Sequence, residues 1–302
     1  MSIDLKGQVA IITGAGRGIG RATAMELAGL GAAIVVNDIG TSTTGAGSDS
    51  GPAREVVEAI ESAGGRAVAS LGSVMDFGEV ERMVELAEEA FGRVDILVNN
   101  AGLSAGGPIW EIDPEIFSQV CASHVVGTFN CTRAVAPGMR TRRSGRIINL
   151  VSRAGIVGMA GNVAYGAGKG GVFGLTNVVS RDLAPFGITV NAVNPSATRT
   201  RMVTEAIDRM QDQGDADAQE MAEGLLQAMQ TPEDVAAMIA ALCSEEAAGM
   251  TGEIFYVAGR EVGLFEPLTL KQMHSASENW TSSALAQRLT EFELHSLDAP
   301  YG

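Results

Sequence analysis

The sequence predicts an α/β protein built on a doubly wound parallel sheet with helices on both faces. Three observations predict it. Short apolar runs recur along the chain, helical spacing fills the gaps between them, and a glycine cluster joins the first run to the first helix. The runs are residues 8–13, 32–37, 67–71, 94–98, 146–151, 188–193 and, as the last strand, 253–257. They are too apolar for a sheet with one wet face and suit strands covered on both sides. Strand and helix in alternation imply the parallel, doubly wound arrangement.

Helix starts are legible too. Asp76 and Glu79 have capping-box spacing before a helix over 80–91. Asp113-Pro114 supplies a cap and a first-turn proline, with Ile112 and Phe117 placed as a hydrophobic staple. Thr231-Pro232-Glu233-Asp234 repeats the device before 235–243. Three segments break the rhythm. Residues 40–51 are rich in Gly, Ser and Thr. Residues 195–230 carry Met202, Met210, Met221 and Met229 and read as a loop with amphipathic helices. The stretch after the last strand is polar and partly helical. With no internal repeat and no sharp shift of composition, the expectation is one domain over 1–263 and a tail over 264–302.

Composition narrows the possibilities. Hydrophobic residues make up 46% of the 302 and charged residues 19%, enough apolar content for a large core. A net charge of -15 argues against nucleic acid and anionic membranes as partners. It leaves room for an anionic ligand held by backbone donors. Residues 1–7 carry no basic patch followed by an apolar run, so a cytoplasmic location is expected. Cys121, Cys131 and Cys243 fit neither a zinc site nor a redox pair and read as buried thiols; no metal is expected.

Thr13-Gly14-Ala15-Gly16-Arg17-Gly18-Ile19-Gly20 stands between the first strand and the first helix. Such glycines allow a tight turn and a close approach of backbone to a pyrophosphate, which rests on the helix N-terminus. Asp38 ends the second strand, 18 residues after Gly20. That is close to the ~20-residue offset of a carboxylate bonded to an adenosine ribose. Further on, Tyr165 and Lys169 are four apart and share one face of a helix. Ser152 closes the fifth strand, where such sheets place their crevice. A tyrosine with a cation beside it has a lowered pKa and can exchange a proton with an alcohol. Ser152 would hold the substrate oxygen. Lys169 is one of only three lysines in the chain. Taken alone, Tyr165 and Lys169 would more often be a core tyrosine beside a solvated lysine.

The loop spacing Gly14-x-x-x-Gly18-x-Gly20 resembles the TGxxxGxG loop of the short-chain dehydrogenase/reductase family. Asn99-Asn100-Ala101-Gly102 is similar to that family's NNAG, and Ser152, Tyr165-x-x-x-Lys169 and Asn194-Pro195-Ser196 follow in its order, over about residues 5 to 260. The resemblance implies a single-domain Rossmann-like fold and an enzyme moving hydride between a nicotinamide and a secondary alcohol or ketone. It implies Ser152, Tyr165 and Lys169 as catalytic residues, with Lys169 also on the nicotinamide ribose. His124 takes the place of an Asn in the proton relay, and helix packing is the other reading for it. The implied cofactor contacts are Gly14, Arg17, Gly18, Ile19, Gly20, Asp38, Ser73, Val74, Asn100, Ala101, Gly102, Tyr165, Lys169, Pro195, Thr198 and Thr200. Gly72 and Ser196 depart from the family pattern, which usually has Asp and Gly there.

Asp38 favours NAD over NADP, while Arg17 cuts the other way. The loop after Asp38 and the histidine at 124 more loosely resemble the (3R)-hydroxyacyl-CoA dehydrogenase unit of peroxisomal multifunctional enzyme type 2 and similar bacterial hydroxysteroid dehydrogenases. A bulky apolar substrate follows, of hydroxysteroid, terpenoid or 3-hydroxyacyl type, with residues 196–230 completing its pocket. A small polyol or sugar, or a non-catalytic dinucleotide-binding regulator, are the alternatives. The family also implies a homo-oligomer, dimer or tetramer, packed through helices matching 114–139 and 163–184.

Overall fold

The computed structural model describes residues 3–212, 216–266, 268–277 and 279–293. Seven parallel strands form the sheet: β1 (Val9–Thr13), β2 (Ala33–Asn37), β3 (Arg66–Ser70), β4 (Ile96–Asn99), β5 (Gly145–Leu150), β6 (Ile188–Pro195) and β7 (Ile254–Ala258). The sheet order is β3-β2-β1-β4-β5-β6-β7, extended at the β7 edge by β8 (Glu261–Leu264). The expectation that the sheet ends at 253–257 is therefore corrected. β8 pairs antiparallel with β7 through a two-residue turn at Gly259, whose φ is 60°. Glycine reaches that conformation without strain, as hairpin turns require.

Alternation along the strands explains the two layers. Ala10 and Ile12 of β1 join one core with Ala24 and Leu27 of α1 (Gly18–Gly29), Val56 of α2 (Gly51–Ser62) and Ile239 of α10 (Pro232–Cys243). Ile11 points to the other core, with Val80 and Met83 of α3 (Phe77–Phe91) and Val135 and Met139 of α5 (Gly127–Arg142). Both sheet faces are thus dry, as the apolar runs require. The winding reverses between β1 and β4, which opens the crevice at the strand C-termini.

Caps form largely where read. Asp113 accepts from Glu115 N and Ile116 N at the head of α4 (Pro114–Cys121), and Thr231 with Asp234 closes a full capping box on α10. The Asp76 box is only half made. Asp76 caps Glu79 N, but the Glu79 carboxylate turns instead to the backbone N–H of Ser73. Cys131 and Cys243 are buried and burial pushes each thiol up to about 12, whereas Cys121 is partly exposed. The segment 195–230 holds α8 (Arg201–Asp212) and α9 (Ala216–Ala228); the side chains of Met210 and Met221 lie outside the described residues. The chain divides into two units between Leu264 and Phe265. Within the second, α11 (Ser282–Leu289) is capped by Thr281, and Lys271 pairs with Glu293 at 3.2 Å. Among the described residues, no helix is long and apolar enough to cross a membrane.

Candidate active site

The crevice floor is made of backbone. Gly14 and Gly18 have φ of 64° and 52°, in the left-handed region that favours glycine. A Cβ on Gly20 would lie 2.2 Å from the Gly14 carbonyl oxygen, and one on Gly14 would lie 2.9 Å from Ala101 Cα. Asn100 Nδ2 donates to Thr13 O at 2.8 Å and Gly14 O at 3.0 Å, and Thr13 Oγ1 accepts from the amides of Asn100 and Ala101 at 3.0 Å each. Thr13 therefore organises the NNAG segment, a role that sequence reasoning missed although the residue stood inside the motif. No side chain caps α1, which starts after Arg17; its first-turn amides are the donors such a helix offers an anion. Arg17 itself is exposed, and Ile19 is half-buried.

Asp38 stands at the far wall, with Oδ2 accepting from Gly16 N and Oδ1 from Gly40 N, both at 2.7 Å. Ser73 and Val74 lie beyond β3, where Val74 O accepts from Asn130 Nδ2 at 2.9 Å. On the opposite wall, beyond β6, the methyl of Thr200 would be 3.1 Å from a Cβ on Gly18. Pro195 ends β6, and Thr198 is buried and bonded to Gln230 Nε2 at 3.1 Å. Gln230 also donates to Val257 O at 3.0 Å and accepts from Gly259 N at 2.7 Å, which pins this wall. Nothing in the sequence singled out Gln230. Buried Asn194 Nδ2 and Oδ1 and Ser196 Oγ have no protein partner here. A glycine floor, an open helix end, a carboxylate on the adenosine side and partnerless polar atoms on the other wall fit a nicotinamide dinucleotide.

Three side chains converge at the C-terminal end of β5. Ser152 caps the short helix α6 (Arg153–Ile156), its Oγ accepting from Ala154 N at 3.2 Å. That helix lies directly on α7 (Val163–Leu183), because Gly155 has no Cβ; one there would be 2.3 Å from Gly170 N. The contact brings Ser152 within hydrogen-bond reach of the Tyr165 hydroxyl. Burial raises the Tyr165 pKa, and the Ser152 hydrogen bond works against it. Lys169 Nζ lies 5.8 Å from the Tyr165 ring centre and donates to Leu150 O at 2.7 Å. Burial lowers its pKa to about 7.

His124 sits behind this group, in a π-helical turn (Ala122–Val126) between α4 and α5. Such single wide turns recur at functional sites. The ring is 2% exposed and meets the Tyr165 ring edge-on at 5.4 Å. Its Nε2 is 2.8 Å from Leu103 O, so Nε2 carries the proton and donates, while Nδ1 has no partner. Burial and the nearby Lys169 lower its pKa to about 3, so the ring is neutral. It fills the space beside two glycines: a Cβ on Gly102 would lie 2.0 Å from His124 Cε1, and one on Gly168 would lie 2.9 Å from Cδ2.

The short chain dehydrogenase family profile matches residues 8–211. A 3-oxoacyl-[acyl-carrier-protein] reductase of Synechocystis sp. is 38% identical over 261 residues, covering 84% of this chain and 97% of that protein. The peroxisomal multifunctional enzyme type 2 of Drosophila melanogaster is 35% identical over 301 residues, 94% of this chain but 46% of that longer protein. Among solved structures, a short chain dehydrogenase from Mycobacterium avium superposes with a TM-score of 0.79 at 34% identity, covering 95% of this chain and 94% of its own. Members of this family generally bind NAD(P) and oligomerise. With the fold, the glycine floor and the match over residues 8–211, the chain belongs to the short-chain dehydrogenase/reductase family and is an oxidoreductase.

Proposed function

We propose that the protein is an NAD-dependent dehydrogenase/reductase of a bulky, largely apolar secondary alcohol or its ketone. The observation that carries this reading is the meeting of Ser152, the Tyr165 phenol and Lys169 at the end of β5, with Lys169 Nζ 5.8 Å from the phenol ring centre. When bound, the nicotinamide takes hydride from the alcohol carbon or gives it back. Tyr165 exchanges the hydroxyl proton of the substrate as general acid/base. Ser152 positions the substrate oxygen. Lys169 favours the phenolate through its charge. His124, neutral and closed in, braces the Tyr165 ring, so its part is packing and not proton carriage. Gly14, Gly18, Ile19 and Gly20 would hold the pyrophosphate; Asn100, Ala101 and Gly102 would form the floor; Ser73 and Val74 would lie towards the adenine. Pro195, Thr198 and Thr200 would close the nicotinamide end.

The apolar substrate has two supports. Ile109, Trp110 and Met159 are exposed on two loops joined by Gly107 N to Gly161 O at 2.7 Å, at the approach to α7. A relative named for reducing 3-oxoacyl groups supports the hydroxyacyl type. In a spectrophotometric assay at NADH wavelengths, long 3-hydroxyacyl, steroid or terpenoid substrates are expected to far outperform sugar alcohols. Tyr165→Phe is expected to lose ~10²–10⁴-fold in kcat while still binding NADH. Faster turnover of a polyol, or an active Tyr165→Phe, would overturn the reading.

Asp38 supports NAD as the cofactor, because a 2′-phosphate there would meet like charge. Asp38→Asn should narrow the NAD:NADP ratio of kcat/KM by about tenfold or more; a wild-type preference for NADP would reject the assignment.

Lys169 predicts a pH signature in the free protein. The native pKa of about 7 lies below the ~10.4 of an unfolded lysine. Between those values the unfolded chain holds the proton and the native protein does not, so stability rises with pH across the window. Urea titrations at pH 7 and 10 should find this rise in wild type and a smaller one in Lys169→Met. Equal slopes would place the ammonium in water.

A homo-oligomer, dimer or tetramer, is part of the same reading. Ile116, Val126 and Phe129 along α4 to α5, and Val178 on α7, are exposed apolar side chains on the helices expected to pack between copies. Light scattering at micromolar concentration should give a multiple of 31.2 kDa; a monomer would count against it.

A further inference from the structure

We propose that the segment 41–46 and the start of α8 form a clasp across the cofactor groove, closed by Thr43 with Glu205 and by Arg201 with the backbone at Thr41. The proposal rests on the dinucleotide reading above. It starts from the sheet order. β2 and β6 are four positions apart, with β1, β4 and β5 between them. At ~4.8 Å per strand their ends are about 19 Å apart. Residues that leave these two strands meet only by crossing the C-terminal ends of the three in between, where the crevice lies.

They do meet. The Thr43 hydroxyl hydrogen-bonds the Glu205 carboxylate, and Arg201 Nη2 donates to Thr41 O at 2.8 Å. Arg201 Nε also stands 3.8 Å from Glu205 Oε1, which orients both α8 side chains. A third tie runs from Ser104 N to Thr43 O at 3.0 Å, fixing the strap to the segment that follows Gly102. Gly45 is pressed against the same region, since a Cβ there would lie 2.9 Å from both Leu103 Cδ1 and Gln119 Nε2.

Each end of the span is seated on the groove floor. On one side Asp38 holds Gly16 N; on the other Thr200 packs over Gly18. The contacts close a ring from Gly16 through Asp38, the strap, α8 and Thr200 back to Gly18. A dinucleotide laid from Asp38 to Tyr165 passes through that ring and leaves it when the two closures part. Both closures are polar and half-exposed, of the kind that contributes little to stability and opens readily. The clasp therefore acts on the rate of cofactor release. It also ties that rate to α8, on the segment assigned to the substrate pocket.

The test is stopped-flow displacement of NADH fluorescence from the full chain, alongside single-turnover hydride transfer. Thr43→Val should release NADH ~10-fold faster or more, with the transfer rate within about twofold of wild type, and Arg201→Ala should speed release by a similar factor. A Thr43→Cys/Glu205→Cys pair joined by a short bismaleimide should slow release by a similar factor, which a strap of purely structural importance would not do. Unchanged release in the opened and the bridged variants would overturn the clasp alone. Failure of the wild-type protein to bind NADH would remove the dinucleotide reading and the clasp with it.

Discussion

An ammonium inside a protein loses its water, and Lys169 has the Leu150 carbonyl oxygen, 2.7 Å away, in its place. Burial drives its pKa down to about 7 while driving that of Tyr165 up. Each group alone is pushed towards its neutral form. A phenolate, where it forms, would be stabilised by an ammonium beside it. The geometry that makes this pairing possible is costly to assemble. α7 sets the two residues one turn apart, and the missing Cβ of Gly155 lets α6 deliver Ser152 to the same phenol. The β5 terminus supplies both the carbonyl and the serine cap.

The donors this crevice offers an anion are almost wholly backbone. The surface charge is -15, and the one basic side chain in the glycine loop, Arg17, points to solvent. Amides at the head of α1 and the glycine floor supply donors whose field is local and falls off within a turn. An acidic exterior and the phosphate-binding interior proposed above are compatible because they act over different distances.

The layers of the fold were legible because buried strands announce themselves as apolar runs; β1, β2, β4 and β5 are buried along their whole length. β8 was missed for the converse reason. Its Glu-Val-Gly-Leu is exposed throughout and carries no burial signal. The placing of Ser152, Tyr165 and Lys169 in one group was readable from their offsets and from the strand that ends at Ser152. The π-helical turn around His124 was not, because one extra residue in a helix leaves the apolar spacing nearly intact. Thr43, Arg201 and Glu205 lie about 160 residues apart in sequence across their contacts, and no periodicity links them. The half-made Asp76 box is a smaller case, where Asp76 N turns to Ser73 O and the Glu79 carboxylate takes Ser73 N instead.

The packing around His124 limits the order in which this site can change. The imidazole occupies the space that side chains at Gly102 and Gly168 would need. While it stays, a methyl group at either glycine would press on the ring; were the ring lost, Gly102 would be freed and a void would open against Tyr165, whereas a Cβ at Gly168 would still lie 3.2 Å from the Cβ of residue 124. Positions 102, 124 and 168 are therefore coupled through one ring, so that the cost of a side chain at 102 or 168 depends on what stands at 124. A substitution series at these three positions is therefore non-additive, although neither glycine stands at a turn.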